Sequence, residues 1–265
     1  MISGGAPLKL FWWNGNANFG DLISPLVVEY VARRQVAWAE PQDAELFAVG
    51  SIMRYAAVGS EIPKPAKPWV WGTGSLSLWE DISFVGRLSF AAVRGPRTAR
   101  TLNLGTLPFG DPGILIADVL GAPKFQSGDV GIVPHFSQQS DPRFIDVLKQ
   151  IPDARLIDVT KDPREVVAEI AGCRHIFSSS LHGLVVADAY GIPNTWLNPE
   201  GIHRSAKFKF RDYAMAIGRD LHSYVEVNDI PRLVGALTDG PLPYAEQLEA
   251  VKRGLKAAFP AELAA

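Results

Sequence analysis

One cysteine in 265 residues, Cys173, leaves no partner for an intramolecular disulfide. That fits a reducing compartment and excludes a small disulfide-stapled scaffold. Charge of one sign is not in excess: 26 Lys and Arg stand against 28 Asp and Glu, a formal charge of −2. A nucleic-acid binder usually carries a basic surplus, so that class is set aside. No apolar run reaches the roughly 18 residues that a spanning helix needs. Met1-Ile2-Ser3-Gly4-Gly5 has no basic start followed by an apolar stretch, so no signal peptide is expected. The expected location is the cytoplasm, with peripheral contact at the inner face of the cytoplasmic membrane left open. No histidine, cysteine or carboxylate cluster shows metal-ligand spacing, and neither a metal nor a cofactor is expected.

What remains is ordinary globular material, 47% hydrophobic and 20% charged. Short apolar runs alternate with helical patterns, which predicts an α/β fold with largely parallel strands. Leu8 to Trp13, Leu46 to Gly50, Trp69 to Gly72 and Ser89 to Val93 read as buried strands of a first half. Asp21 to Arg34 reads as its first helix, with Pro25 in the opening turn. Val130 to His135, Arg155 to Val159, His175 to Ser178 and Asn194 to Leu197 are the strands of a second half. Arg143 to Gln150, Pro163 to Cys173 and Ser180 to Tyr190 are its helices. Ala122 to Asp129, with Pro123 and Gly128, has the composition of a linker. The expected architecture is two Rossmann-like domains, 1–121 and 130–240, facing across a cleft, with 241–265 supplying a C-terminal helix that packs back. Ligands of such sheets gather at the carboxyl ends of the strands.

The segment with most chemistry is Ser178-Ser179-Ser180-Leu181-His182-Gly183, at the predicted start of a helix that ends at Tyr190-Gly191-Ile192-Pro193. A helix start points backbone N–H groups and positive partial charge at one spot, which suits a phosphate or carboxylate. Histidine there is the side chain that exchanges protons near neutral pH. The residues Ser179, Ser180 and Leu181 are therefore expected to line an anion site, with His182 as its acid.

Other strand-end loops point the same way. Asn14 to Asp21 is rich in Gly and Asn, which tolerate left-handed backbone angles. Asn18, Gly20 and Asp21 either cap the following helix or hold sugar hydroxyls. Gly72-Thr73-Gly74 is either a tight turn or a second close approach to ligand. Arg94 ends a strand just before Pro96 at a helix start, where its planar fork suits an oxyanion, with a surface ion pair as the competing role. His135 ends the strand Val130 to His135, in a structural or a ligand-facing role. Lys207-Phe208-Lys209-Phe210-Arg211 alternates charges with rings, which would take opposite faces of an extended piece and offer a phosphate Lys207 and Lys209. A solvated basic edge is the alternative.

In chain order, Asn18-Phe19-Gly20-Asp21, Trp71-Gly72-Thr73-Gly74, Ala92-Val93-Arg94-Gly95-Pro96, Gly110-Asp111-Pro112-Gly113, Val133-Pro134-His135 and Ser178 to Gly183 form a series. The series resembles the polysaccharide pyruvyl transferases, and most of all the ketal pyruvyltransferases of xanthan-type exopolysaccharide assembly. With Phe208-Lys209-Phe210 and Asp212-Tyr213 the likeness covers about residues 10 to 215. It implies a fold like that of two-domain GT-B glycosyltransferases. It also implies phosphoenolpyruvate as donor substrate and a hexose of a lipid-linked or polymeric glycan as acceptor. His182 would then be the general acid and Arg94 its cationic partner. Some family members carry arginine two residues before the motif histidine; Ser180 stands there in this chain, which leaves Arg94, Lys207 and Lys209 to supply positive charge. The competing expectations are a glycosyltransferase that uses a nucleotide sugar, and a non-catalytic glycan-binding assembly subunit.

Overall fold

The computed structural model describes residues 3–62, 66–123, 125–202, 205–237 and 240–265. Lys124, within the expected linker, and His203 lie outside the described residues. The first half opens with β1 (Ser3–Phe11), whose Leu8 and Leu10 are fully buried, followed by α1 (Phe19–Ala32) and β2 (Arg34–Trp38). Then come β3 (Leu46–Phe47), α2 (Met53–Gly59), β4 (Trp69–Trp71), β5 (Ser89–Ala92) and α3 (Pro96–Thr101). A 3-10 turn at Pro112–Leu115 and α4 (Ile116–Leu120) lead out of this half. The second half holds β6 (Val130–Val133), α5 (Pro142–Leu148), β7 (Ala154–Leu156), α6 (Pro163–Ala171) and β8 (His175–Ser178). It continues with α7 (Leu181–Ala189), β9 (Asn194–Trp196), α8 (Ala206–Ala216) and α9 (Ile230–Val234), and α10 (Ala245–Ala257) closes the chain.

Both sheets are parallel throughout. The first runs β2-β1-β3-β4-β5 and the second β7-β6-β8-β9. Each has a topological switch point where the strand order reverses, between β1 and β3 in one and between β6 and β8 in the other. Crevices outside the carboxyl ends of strands at such points are where open α/β sheets bind ligands. The expected α/β architecture of two facing Rossmann-like sheets is the observed one.

The two sheets share a core. One apolar cluster runs from Leu10 of β1 through Ile114 and Leu115 to Leu184 and Val185 of α7 and Ile176 of β8. The 3-10 turn at Pro112–Leu115 packs against both α1 and α7 and joins the halves. The C-terminal helix packs back, as expected. Trp71 donates its indole N–H to the Leu255 carbonyl at 2.9 Å, and Lys252 reaches the Ala189 carbonyl at 3.3 Å.

Three local expectations are corrected. Helix α1 begins two residues early, at Phe19, so Pro25 sits in its second turn rather than its first and removes the amide that would bond the Asp21 carbonyl. The helix also stops before Arg34, because Arg33 turns left-handed at φ 53°, and Arg34–Trp38 becomes the edge strand β2. The segment at 207–213, considered as an extended piece, is helical in α8. Among the described residues no helix is long and apolar enough to cross a membrane.

Candidate active site

The two switch points meet at the starts of α1 and α7. Asn18 caps α1, its side chain accepting from the Gly20 amide, and its amide nitrogen donates to Asp21 Oδ2 at 2.7 Å. Asp21 faces Gly50, at the carboxyl end of β3: a Cβ there would lie 3.0 Å from Oδ1. Gly20 lies directly against the ring of His182, and a Cβ on it would stand 2.2 Å from Nδ1. Only glycine lets the first turn of α1 and the first turn of α7 approach so closely. The backbone N–H of Phe19 completes the junction by donating to the Val159 carbonyl, just beyond β7, at 2.9 Å.

Helix α7 is buried on every side, and its N-cap residue Ser180 makes no side-chain cap. The hydroxyl of Ser178 instead accepts from the Ser180 amide at 3.0 Å and lies 2.8 Å from the carbonyls of Val133 and Ser180, to either of which it can donate. Among the described residues no side chain accepts from the amides of Leu181, His182 or Gly183, the first turn of α7.

Across from Nδ1, Nε2 of His182 lies 3.7 Å from Oδ2 of Asp111, too far for a hydrogen bond. Both atoms are buried and have no partner. The other carboxylate oxygen of Asp111 caps the 3-10 turn by accepting from the Gly113 amide at 3.0 Å. A buried imidazole nitrogen and a buried carboxylate oxygen thus stand side by side without a hydrogen bond among the described residues, an arrangement that costs free energy. Asp111 was present in the motif series but not among the expected site residues. Nothing in its local sequence shows that it reaches a histidine 71 positions away.

Lys209 of α8 brings a cation to this cluster. It is buried, its Nζ is 5.5 Å from the centre of the Phe210 ring, and no hydrogen bond holds it among the described residues. Burial, and then the nearby guanidinium of Arg94, lower its pKa to about 8, while Asp21 opposes the shift. Burial also raises the pKa of Asp21, against the pull of His182, Asn18 and Lys209. The carboxyl is thus biased towards holding its proton.

Arg94 is placed beneath this cluster rather than open to a ligand. It is fully buried, with Nε 3.2 Å from Asp212 Oδ2, Nη1 2.6 Å from Ser51 Oγ and Nη2 2.6 Å from the Ser75 carbonyl. Asp212 also accepts from the Thr98 amide and hydroxyl, so one carboxylate of α8 fixes both Arg94 and the start of α3. Sequence reasoning missed Asp212 because its partners lie 114 and 118 positions away.

The remaining expected residues take mixed positions. Gly72 (φ +83°) packs on Pro112, Thr73 bonds the Gly50 carbonyl at 2.7 Å, and Gly74 lies against the Arg94 guanidinium. All three serve close packing of loops instead of facing a ligand. Ser179 links the second switch point, accepting from the His135 amide at 3.0 Å and donating to Gln138 at 2.6 Å. The His135 ring contacts Ser137 and Phe136. Leu181 is a core residue. Lys207 points away from Lys209: its ammonium bonds Glu200 at 2.8 Å and Tyr224 at 3.2 Å. Their divergence follows from the helix, in which residues two apart face different ways. A cavity of about 710 Å³ lies on the Lys207 side of α8 and does not include His182.

The sequence profile of the polysaccharide pyruvyl transferases matches residues 16–201, most of the chain, from just before α1 through β9. The chain belongs to this family. A polysaccharide pyruvyl transferase chain of this kind is similar to the succinoglycan biosynthesis protein ExoV of Rhizobium meliloti (strain 1021), at 26% identity over 219 residues. That alignment covers 78% of this chain and 64% of ExoV. Protein L143 of Acanthamoeba polyphaga mimivirus, described as uncharacterized, is 27% identical over 46% of this chain and 44% of its own. The chain thus spans less than two thirds of the length of either relative. Among solved structures, the calicheamicin glycosyltransferase CalG4 aligns with a TM-score of 0.44 at 12% identity, over 81% of this chain and 70% of that one. Family membership supports a transferase of polysaccharide biosynthesis.

Proposed function

We propose that this chain transfers a pyruvyl group from phosphoenolpyruvate to a hexose of an exopolysaccharide, or of its lipid-linked repeat unit, and closes a cyclic pyruvate ketal. The observation that carries this reading is the unpartnered pair of His182 Nε2 and Asp111 Oδ2, set at two helix starts beside the uncommitted ammonium of Lys209. A small dianion offers acceptors to the imidazole N–H and to Lys209, while the Asp111 carboxylate, itself an acceptor, holds the imidazole rather than the ligand. The phosphate and carboxylate oxygens of the dianion suit Lys209 and the N–H groups opening α7.

In the proposed reaction His182 gives that proton to the methylene carbon of the enol, and C2 becomes electrophilic. One sugar hydroxyl adds to C2 and loses its proton. A second hydroxyl of the same sugar then adds as the C–O bond to phosphate breaks, so the products are a methyl-bearing ketal and inorganic phosphate. Of the two hydroxyl protons, one replaces the proton given up by His182 and the other leaves on phosphate. Asp111 positions the imidazole. Asp21, paired with Asn18, is placed to relay a hydroxyl proton.

Reaction in deuterium oxide tests the proposal, with phosphate release followed by phosphorus NMR and the product methyl group by mass. One solvent deuteron in each methyl group, and release only when donor and acceptor are both present, are expected. His182→Ala should lower turnover about 10²–10⁴-fold, the range of a positioned acid. Turnover near the unsubstituted level in that variant would remove His182 from the chemistry.

A further inference from the structure

The cavity of about 710 Å³ opens at the carboxyl ends of β4 and β9, between the loop at Ser77 and Leu78, the start of α3 and the start of α8. It lies across α8 from the cluster around His182. Lys209 and Asp212 take one face of this helix, while Lys207, Phe208 and Arg211 take the other. Its wall holds three cations, Arg97, Lys207 and Arg211, against the carboxylate of Glu200. Lys207 and Glu200 neutralise one another at 2.8 Å. Two guanidinium groups are left without a counter-charge among the lining residues. Arg97 lies with its guanidinium carbon 4.9 Å from the centre of the Phe208 ring, an arrangement that fixes the plane and leaves its edge open. The Nε atoms of both Arg97 and Arg211 are buried and, among the described residues, have no hydrogen-bond partner, so a ligand in the cavity meets the outer nitrogens of the two part-exposed side chains.

Two guanidinium groups with no carboxylate paired to them on that wall offer their outer N–H donors to an acceptor in the cavity. A planar oxyanion meets such donors best, through charge-assisted hydrogen bonds. The space around them is too large for a free oxyanion alone. Serine hydroxyls at Ser77 and Ser205 and the apolar face of Leu78 suit the rest of a saccharide ring. We infer that Arg97 and Arg211 form an acceptor subsite for an acidic saccharide, one whose carboxylate or phosphate ester engages the outer nitrogens of the two guanidinium groups. The inference rests on the pyruvyl-transfer reading for the word acceptor, but the binding of an acidic saccharide does not depend on it. The subsite selects acceptors by charge, one helix away from the bond-making groups.

Titration calorimetry of the full chain with three probes tests this: methyl glucuronoside, a glucosyl phosphate and neutral methyl glucoside. Each is titrated with and without saturating phosphoenolpyruvate. At least one acidic probe should bind about tenfold or more tightly than the neutral one, consistent with hydrogen bonds to a charged group. The tighter of the two acidic probes identifies the oxyanion. The Arg97→Ala, Arg211→Ala double variant should lose that preference and still bind phosphoenolpyruvate as the parent chain does. Arg211→Gln alone, which keeps the Arg97–Phe208 packing, should lose part of it, and a melting curve checks that each variant is folded. Equal binding of acidic and neutral probes by the parent chain, or an unchanged preference in Arg211→Gln, overturns the subsite. Failure of phosphate release with acidic-probe binding intact would instead count against the pyruvyl-transfer reading.

Discussion

Gly20 and Lys209 show how much a single residue decides here. A methyl group on Gly20 would stand 2.2 Å from His182 Nδ1, so the ring has to move. Gly20→Ala should therefore cost about 10²-fold in turnover, as a misplacement near 1 Å does, while a melting curve shows the fold retained. If the proposed reaction holds, Lys209 should carry the pH dependence of donor binding. With its pKa lowered to about 8, the ammonium is complete below that pH and is lost above it. A bound dianion favours the charged form, so phosphoenolpyruvate affinity should fall as pH rises through about 8. Lys209→Met should bind the donor weakly at every pH and flatten that profile in calorimetric titrations. A profile unchanged by the substitution would assign the titration elsewhere. Both residues stood out in the sequence, Gly20 by its loop and Lys209 by its basic segment. The contact that gives each its role, a ring from another helix or a buried guanidinium, did not.

At the scale of elements, α8 is the one whose reading changed most. Alternating charges and rings suggested an extended piece, but Phe208 and Phe210 are both buried on a helix, packed against different neighbours: Arg97 on one side and Trp196 on the other. A short alternation cannot separate a strand from a helix that is buried on two faces. This helix is bound to the first half through Asp212, which accepts from Arg94 Nε and from the amide and hydroxyl of Thr98. Asp212→Ala would leave the Arg94 guanidinium buried without its charge partner. The expected loss is about 3–5 kcal/mol in denaturant unfolding, the usual cost of breaking a buried pair from one side. A loss in Asp212→Asn close to that in Asp212→Ala would show that the charge matters, because Asn keeps a hydrogen-bond acceptor without it; a much smaller loss would assign the cost to the hydrogen bonds. The short helices were legible where Pro or Asp marked a start, as at Asp162 and Pro163 of α6. The end of α1 was not, because its left-handed stop is Arg33 rather than a glycine.

For the molecule as a whole, the decisive feature is that one apolar cluster passes from the first sheet to the second through α1, the 3-10 turn at Pro112–Leu115 and α7. Burial of the same residues by both halves couples their unfolding. Scanning calorimetry should give one cooperative transition, with calorimetric and van't Hoff enthalpies equal; two resolved transitions would contradict a shared core. Acid stability has a local origin in the second sheet. Burial lowers the pKa of His175 from 6.5 to about 4, so the folded chain holds the ring neutral, with Nε2 2.9 Å from Thr195 Oγ1. The unfolded chain binds a proton there first, and stability should fall as pH drops from about 6.5 to 4. His175→Gln should flatten the slope of unfolding free energy in that window.

Period, breakers and composition were enough to determine parallel α/β layering, the strand-to-helix loops and the presence of His182 at a helix start. These are properties of residues close together in the chain, governed by backbone sterics and by which face must leave water. Which polar groups lack partners is another kind of fact, because it depends on what arrives from distant segments. Only the tertiary structure decided that Arg94 and Lys207 are occupied, that Asp111 and His182 stand unsatisfied side by side, and that two guanidinium edges face a cavity. Desolvation makes those differences matter, and it is fixed when the two sheets close on each other.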